Sequence, residues 1–335
     1  RPVLGVDLAY RQVATAADQR QGRSRTPVRG GAFRDPTWDS LPRVTLLASA
    51  GGPGGGRAGW AAICRLVSAV HLAGERGRPV ATLDLLAPWL ATGAVTVLLG
   101  PGSEVGTAVA RGHGRGGRDD LADAALAAWR EVVPAGHLHV ELVSHRLGRP
   151  GPGGTEEWGP GSAQHAARMA RVARRAGIGS VLTNAVRYAD RRDAPTVDVL
   201  DAARRLVALD RRHLDRVNAE GFLKSGKQML EVAEEVCRMA GLEDPQRLLA
   251  RTRAVADSCA LDPRADLGLG EVHFPELDVS AGETDGVLRA RCEGAVGDRT
   301  GVGEQPAGGA AAAALHPGEP ADLVGHVGHL LAGLQ

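Results

Sequence analysis

Residues 137–183 read HLHVELVSHR, LGRPGPGGTEEWGPG, SAQHAARMARVARRA, G, IGSVLT in succession. His137–Val143 alternates as a strand, Arg149–Pro160 is a Gly/Pro loop, Ser162–Ala176 carries a helical period, and Ile178–Thr183 is a second short apolar run. A strand, a helix and a strand in this order make a unit whose two strands pair in parallel. Working outward, the same alternation recurs. Val3–Leu8 reads as a strand, followed by a polar, Arg- and Gln-rich loop from Arg11 to about Asp35. Val44–Ala48 and Val95–Leu99 read as buried strands, the second ending at Gly100-Pro101. Between them, Trp60, Cys64, Val67 and His71 recur at helical spacing. Asp119–Val133 reads as a helix with Leu121, Ala125, Ala128 and Val132 on one face. Strands separated by helices over about 190 residues predict an α/β domain with a parallel sheet, open or closed. Thr196–Leu209, Gly226–Ala240 and Pro245–Ser258 then predict a small all-helical segment, and the Gly/Ala-rich text from about Thr300 a weakly ordered tail.

The chain has 335 residues, and its 40 basic and 39 acidic side chains leave a net charge of +1. No global field therefore marks it for nucleic acid or an anionic membrane. Its 43 % hydrophobic and 24 % charged residues are ordinary for a globular protein. The bias lies elsewhere: 46 Gly, 19 Pro, three Phe, two Tyr, and only two lysines, Lys224 and Lys227. Such Arg, Ala and Gly enrichment is what GC-rich coding produces. No apolar run approaches the ~18–20 residues of a membrane helix. Four cysteines (Cys64, Cys237, Cys259, Cys292) lie far apart without a CxxC pair, which argues against a disulfide framework and a zinc ribbon and predicts a cytoplasmic location. The chain opens at Arg1 directly in an apolar run, as a fragment does.

Candidate chemistry is sparse. Gly51–Gly56 sits between a strand and a helix, where a phosphate loop would lie, but it lacks both GxxxxGK[ST] and GxGxxG and is expected to be a surface insertion. His137 and His139 share a strand face with Glu141, and His145 lies beyond. These are plausible zinc or manganese ligands, or else one polar face of an edge strand. His326 and His329 in the tail have no acidic or Cys partner nearby. Lys224 and Lys227 beside Ser225 suit a phosphate contact, or a loop entering a helix with Ser225 as N-cap.

Several segments, in order, resemble one family. Gly221-Phe-Leu-Lys-Ser-Gly-Lys-Gln-Met229, with Phe222, Leu223, Lys224, Ser225 and Met229 at its pattern positions, Ala256-Asp-Ser-Cys-Ala-Leu261 and Phe274-Pro-Glu276 resemble the end of the PHP region of bacterial DNA polymerase III alpha subunits of the actinobacterial or error-prone type. Upstream, Val3–Asp7, Arg43–Ala48, Gly59–Ser68, Val140–His145 and Thr183–Tyr188 resemble that family's successive motifs. Leu288–Gly294 is similar to the helix that opens the polymerase body. The likeness covers residues 1 to about 299.

The resemblance implies an incomplete PHP-type distorted barrel over residues 1–192, with its first strand and helix lacking. It further implies the end of the PHP region and a helical linker over 193–299, and a tail over 300–335 that a shifted reading frame would explain. An open barrel of this kind exposes a strand edge and invites aggregation. Active PHP relatives hold zinc or manganese at strand ends, but here the ligand positions are changed. Asp7 stands for a Glu, Arg43 for a His, Pro101 for a Cys, and Ala185 and Arg187 for an Asp and a His, while His145 is kept. The expected metal set is therefore vestigial, no catalytic residue is expected, and this chain should carry no cofactor, Mg²⁺ belonging to the parent polymerase. Guanidinium cannot ligate a metal, so Arg43 and Arg187 would replace cations electrostatically by pairing with Asp7. The implied function is that of a non-catalytic region of a DNA-directed DNA polymerase in replication or error-prone repair. Its partners would be the rest of the alpha subunit and, through the full-length protein, DNA and replisome subunits, with no membrane. The alternatives are a PHP metal-dependent phosphoesterase or 3′–5′ exonuclease, and an Arg-rich module (Arg11–Arg34) that binds DNA or the replisome.

Overall fold

Short apolar runs rich in Val and Leu bury both faces best in a sheet covered on two sides, and that is where they lie. In the computed structural model the described residues are 1–11, 41–74, 79–111, 119–147, 159–210, 216, 218–242, 244–270, 272 and 284–300. The Arg-rich loop beyond Arg11, most of the loop 148–158, Phe274–Glu276 and the tail, including His326 and His329, fall outside them. The chain divides into two compact units, Arg1–Glu271 and Val272–Gln335.

In the first unit the strands are β1 (Gly5–Arg11), β2 (Arg43–Ala48), β3 (Val80–Thr82), β4 (Val95–Leu99), β5 (Leu138–Leu147), β6 (Gly161–Ser162) and β7 (Gly179–Thr183). They form one mixed sheet in the order β3-β1-β2-β4-β5-β6, with β7 also on β5. Only β2 runs antiparallel to its neighbours among the described strands. The helices are α1 (Gly55–Ala73), α2 (Leu83–Leu90), α3 (Glu104–Arg111), α4 (Asp120–Val132), α5 (Ala163–Arg175), α6 (Ala194–Arg204), α7 (Gly226–Ala240) and α8 (Pro245–Ser258). The α/β expectation holds at this level. The helices after Asp193 belong to the same compact unit as the sheet.

Because side chains alternate along a strand, the sheet has two distinct faces. On one, Tyr10, Leu46, Val97, Val140 and Leu182 join the main core with α1 to α5 and α7. There the Trp129 indole packs 4.8 Å from the Tyr10 ring and donates from Nε1 to Glu104 at 2.8 Å. On the other, register aligns Asp7, Thr45, Leu98, His139 and Gly179 across five strands. Here Leu47, Leu98 and Val181 meet Val255 and Cys259 of α8.

Helix α8 also covers the outer edge of β7. The Leu182 amide donates to the Thr252 hydroxyl at 2.8 Å, and Arg251 donates to the Ser180 carbonyl at 3.4 Å. Beyond α8 the chain returns to the first strand: the Ser258 carbonyl accepts from Ala50 and Gly51, Val3 bridges Ala260, and the Leu261 amide donates to Pro2. The sequence predicts an exposed strand edge without placing it; at β7 the edge is covered by a helix rather than by another strand.

Two helix faces differ from the sequence expectation. In α1 the buried residues are Gly56, Gly59, Ala62, Ile63, Leu66 and Val70, not the Trp60–Cys64–Val67–His71 stripe. Gly59 sets this orientation, since a Cβ there would overlap the Ser49 backbone, so the helix rolls its smallest residues inward. In α4 the buried set is Ala122, Ala125, Leu126 and Trp129, while Leu121 is exposed. Helix α6 starts at Ala194 and stops at Arg204, where Leu206 takes a positive φ of 53°. In the Gly51–Gly56 segment Gly51, Pro53 and Gly54 are exposed, as a surface insertion is, while two glycines are closely packed: a Cβ on Gly52 would strike the Gly93 carbonyl and one on Gly56 the Asp266 carboxylate. That carboxylate lies against the first turn of α1 and leaves no room for a phosphate.

In the second unit, α9 (Thr284–Thr300) is a helix whose described side chains are exposed. No helix among the described residues is long and apolar enough to cross a membrane.

If α8 seals β7 as described, Thr252→Val strips the partner from the Leu182 amide while keeping the side chain's shape. The expected cost is about 1–3 kcal/mol, read as a lower urea midpoint at unchanged slope.

Candidate functional site

Of the residues singled out by resemblance, Pro101, His145, Ala185 and Arg187 lie at or beyond the carboxyl ends of parallel strands, the end where α/β sheets place their sites, while Asp7 lies in the amino half of β1. Asp7 is in β1 and Arg43 opens β2, two residues from Asp7's register partner Thr45. The Arg43 guanidinium donates from Nε to Asp7 Oδ1 at 2.7 Å and from Nη2 to the Asp7 carbonyl at 2.9 Å. This is the pairing expected of Arg43, and both side chains remain partly exposed. Arg187 does not join them. It turns to Asp201 on α6, reaching both carboxylate oxygens at 2.9 Å.

Pro101 follows β4 at the second position of a tight turn closed by the Ser103 amide on the Gly100 carbonyl at 3.0 Å. Its fixed φ suits that position. The Ser103 hydroxyl then caps α3 by accepting from Gly106 at 3.1 Å. Gly100 is required for a different reason: a Cβ there would sit 2.5 Å from Glu141 Oε2. Glu141 itself accepts from the Thr183 hydroxyl at 2.6 Å. Burial pushes its carboxyl above the usual range; the Thr183 hydrogen bond opposes this and the Asp7 charge adds to it.

His145 donates from Nε2 to the Asn184 carbonyl at 2.8 Å, and Ala185 beside it has a positive φ of 41°. The proposed set His137, His139, Glu141 and His145 does not converge. His139 is buried and bonds Gly136 through Nε2, with burial lowering its pKa, Glu141 is held by Thr183, and His145 by Asn184. Nor is β5 an edge strand, for β4 and β7 flank it. Among the described residues no three His, Cys, Asp or Glu side chains group as metal ligands. A zinc or manganese ion does not fit the mouth: Arg43 occupies Asp7, His145 spends its Nε2 on a carbonyl, and Pro101 and Ala185 have no side-chain donor atom.

The most connected cluster is the docking of residues 218–225 onto 184–188. Tyr188 bridges Phe222 in parallel, the Leu223 amide donates to Tyr188, and the Arg187 amide to Gly221. Asn184 Nδ2 donates to the carbonyls of Glu220 (2.9 Å) and Phe222 (2.7 Å). Buried beneath is Lys224, whose Nζ reaches Asn184 Oδ1 at 3.1 Å, the Glu220 carbonyl at 2.5 Å and the Glu220 carboxylate at 3.2 Å. It lies 4.4 Å from the Phe222 ring centroid, with Arg191 also over that ring. Burial lowers the Lys224 pKa against the pull of Glu220. Ser225 caps α7 in a reciprocal box with Gln228, as the N-cap reading expects. Met229 lies on α7 and packs against the main core, while Leu223 is exposed. Arg146, at a positive φ of 53°, forks onto Glu235 of α7 at 3.1 and 2.7 Å. Sequence reasoning missed Asn184, Glu220 and Thr183. Thr183 and Asn184 bond partners about 40 residues away, while Glu220 also meets Lys224 at i,i+4 spacing, a local signal.

No protein-family model matches the chain, and no curated protein matches it.

Two outcomes follow from this geometry. The folded state holds the Glu141 proton more tightly than the unfolded chain does, so ionising it weighs against folding as pH rises above the ordinary value of 4.5. Glu141→Gln should therefore raise the urea midpoint near neutral pH, with the gain fading as pH falls toward 4.5; a pH-independent difference would mean that Glu141 does not titrate there. Lys224→Met should cost about 1–3 kcal/mol by leaving Asn184 and Glu220 short of a donor, seen as a lower melting temperature.

Proposed function

We propose that this chain is the PHP-type region of a bacterial DNA polymerase III alpha subunit. It would serve template-directed DNA synthesis, in replication or error-prone repair, as a scaffold for the polymerase body rather than as a hydrolytic centre. The observation that carries the reading is the Arg43–Asp7 ion pair. The resemblance puts metal ligands at these two positions, and a guanidinium–carboxylate pair there supplies positive charge without an ion. Support also comes from the Phe222–Ser225 segment, which the resemblance singles out and which ties residues 184–188 to α7. The barrel-like reading of the fold draws on the mixed sheet with its flanking helices and on the cover α8 gives to β7.

The scaffold role predicts less than one equivalent of zinc or manganese in purified protein dialysed without chelator, and no Mn²⁺-dependent phosphodiester hydrolysis. A full equivalent of metal, or hydrolysis lost in His145→Ala, would replace it with the phosphoesterase reading. The family assignment is tested separately by sequencing the DNA on both sides of the reading frame. An H-x-H codon pattern upstream and a palm carboxylate cluster downstream are expected, and finding neither in any frame would overturn the assignment.

A further inference from the structure

A cavity of about 570 Å³ opens between the start of β7, the ends of α5 and α7, and the first turns of α8. Three arginines, Arg174, Arg247 and Arg251, line it, and among the described lining residues Asp244 is the one carboxylate. That carboxylate is engaged as the N-cap of α8, accepting from the Arg247 amide at 2.8 Å. Arg174 is steadied by the Gly241 carbonyl at 3.1 Å and Arg251 by the Ser180 carbonyl at 3.4 Å. No carboxylate pairs with any of the three among the described residues. In the same unit Arg43, Arg146, Arg168 and Arg187 each meet one.

Arginine does not lose its proton at accessible pH, so an anion seated among the three meets fixed positive charge from each. Their forked donors match the tetrahedral oxygens of a phosphate. A terminal phosphate, with a charge near −2, balances them better than a singly charged backbone diester. The volume exceeds what a bare phosphate fills and lies within the ~300–1,000 Å³ typical of small-molecule sites. Ile178, Leu242 and Leu248 supply an apolar wall for the rest of such a molecule.

We propose that this cavity binds a small phosphate monoester of mononucleotide size, with its phosphate on Arg174, Arg247 and Arg251 and its organic part against Ile178, Leu242 and Leu248. The site stands apart from the Asp7–Arg43 mouth and does not depend on the function proposed above.

The test is calorimetric titration of the full chain with adenosine 5′-monophosphate, adenosine, inorganic phosphate and an unphosphorylated oligothymidylate. Saturable binding of the monophosphate at one site is expected, with no binding of adenosine and at least ~10-fold weaker binding of inorganic phosphate. Arg247 has an exposed side chain with no ion-pair partner among the described residues, so Arg247→Gln should keep the wild-type urea midpoint while weakening the monophosphate by about 10-fold or more. No saturable monophosphate binding, equal binding of adenosine or of inorganic phosphate, tighter binding of the oligothymidylate, or an unchanged affinity in a folded Arg247→Gln protein would each overturn the proposal.

Discussion

Helix α8 is the contact on which the rest of the first unit depends. A sheet that does not close by strand pairing leaves edges with unpaired backbone groups, one of them at β7, and a second face that must be buried. One helix meets both needs, with Thr252 and Arg251 on the β7 backbone and Val255 and Cys259 on Leu47, Leu98 and Val181. A buried amide without a partner costs about 1–3 kcal/mol, a large share of the ~5–15 kcal/mol net stability of a domain. The helix stays in register because α7 packs beside it and because the chain after it is hydrogen-bonded to Pro2 and Val3.

Charge is used differently from place to place in the first unit. The Arg43–Asp7 pair is partly exposed, so its worth is ~0–1 kcal/mol and its effect is local geometry. Glu141 nearby is buried against a single hydroxyl and weighs against folding when ionised. Lys224 is the reverse case: an almost wholly enclosed ammonium with three oxygen acceptors, which ties residues 184–188 to the entry of α7. Among the described residues, the arginines around the α5–α8 cavity form no ion pair: Arg174 and Arg251 bond carbonyls, and the nearby Asp244 caps α8.

Much of this was legible in the chain because strands buried on both faces read as continuous Val/Leu runs, and because the loop between β5 and α5 is rich in Gly and Pro. Val80–Leu90 was not legible: β3 passes into α2 with only the Thr82 cap between them, so two elements read as one apolar stretch. The two residues of β6 have no period at all. Helix faces were misjudged where bulk was taken as the guide, since in α1 the inward face is set by what Gly59 lacks. At the site, Asp7 and Arg43 could be paired through the resemblance, and Glu141 through its place on the His139 face. Its partner Thr183, and the hold of Asn184 on residues 220–224, depend on contacts that no local spacing encodes, whereas Glu220 and Lys224 are an i,i+4 pair.

The return of residues 258–261 onto residues 2–3 and 50–51 bears on synthesis. A ribosome makes β1 first and α8 nearly last of this unit, so the earliest strand waits through some 250 residues for its final partner. Until α8 emerges, the β7 edge and the apolar second face have no cover, and the nascent chain is a natural client for a holding chaperone. Long-range closure of this kind also slows folding relative to a sheet built from local hairpins.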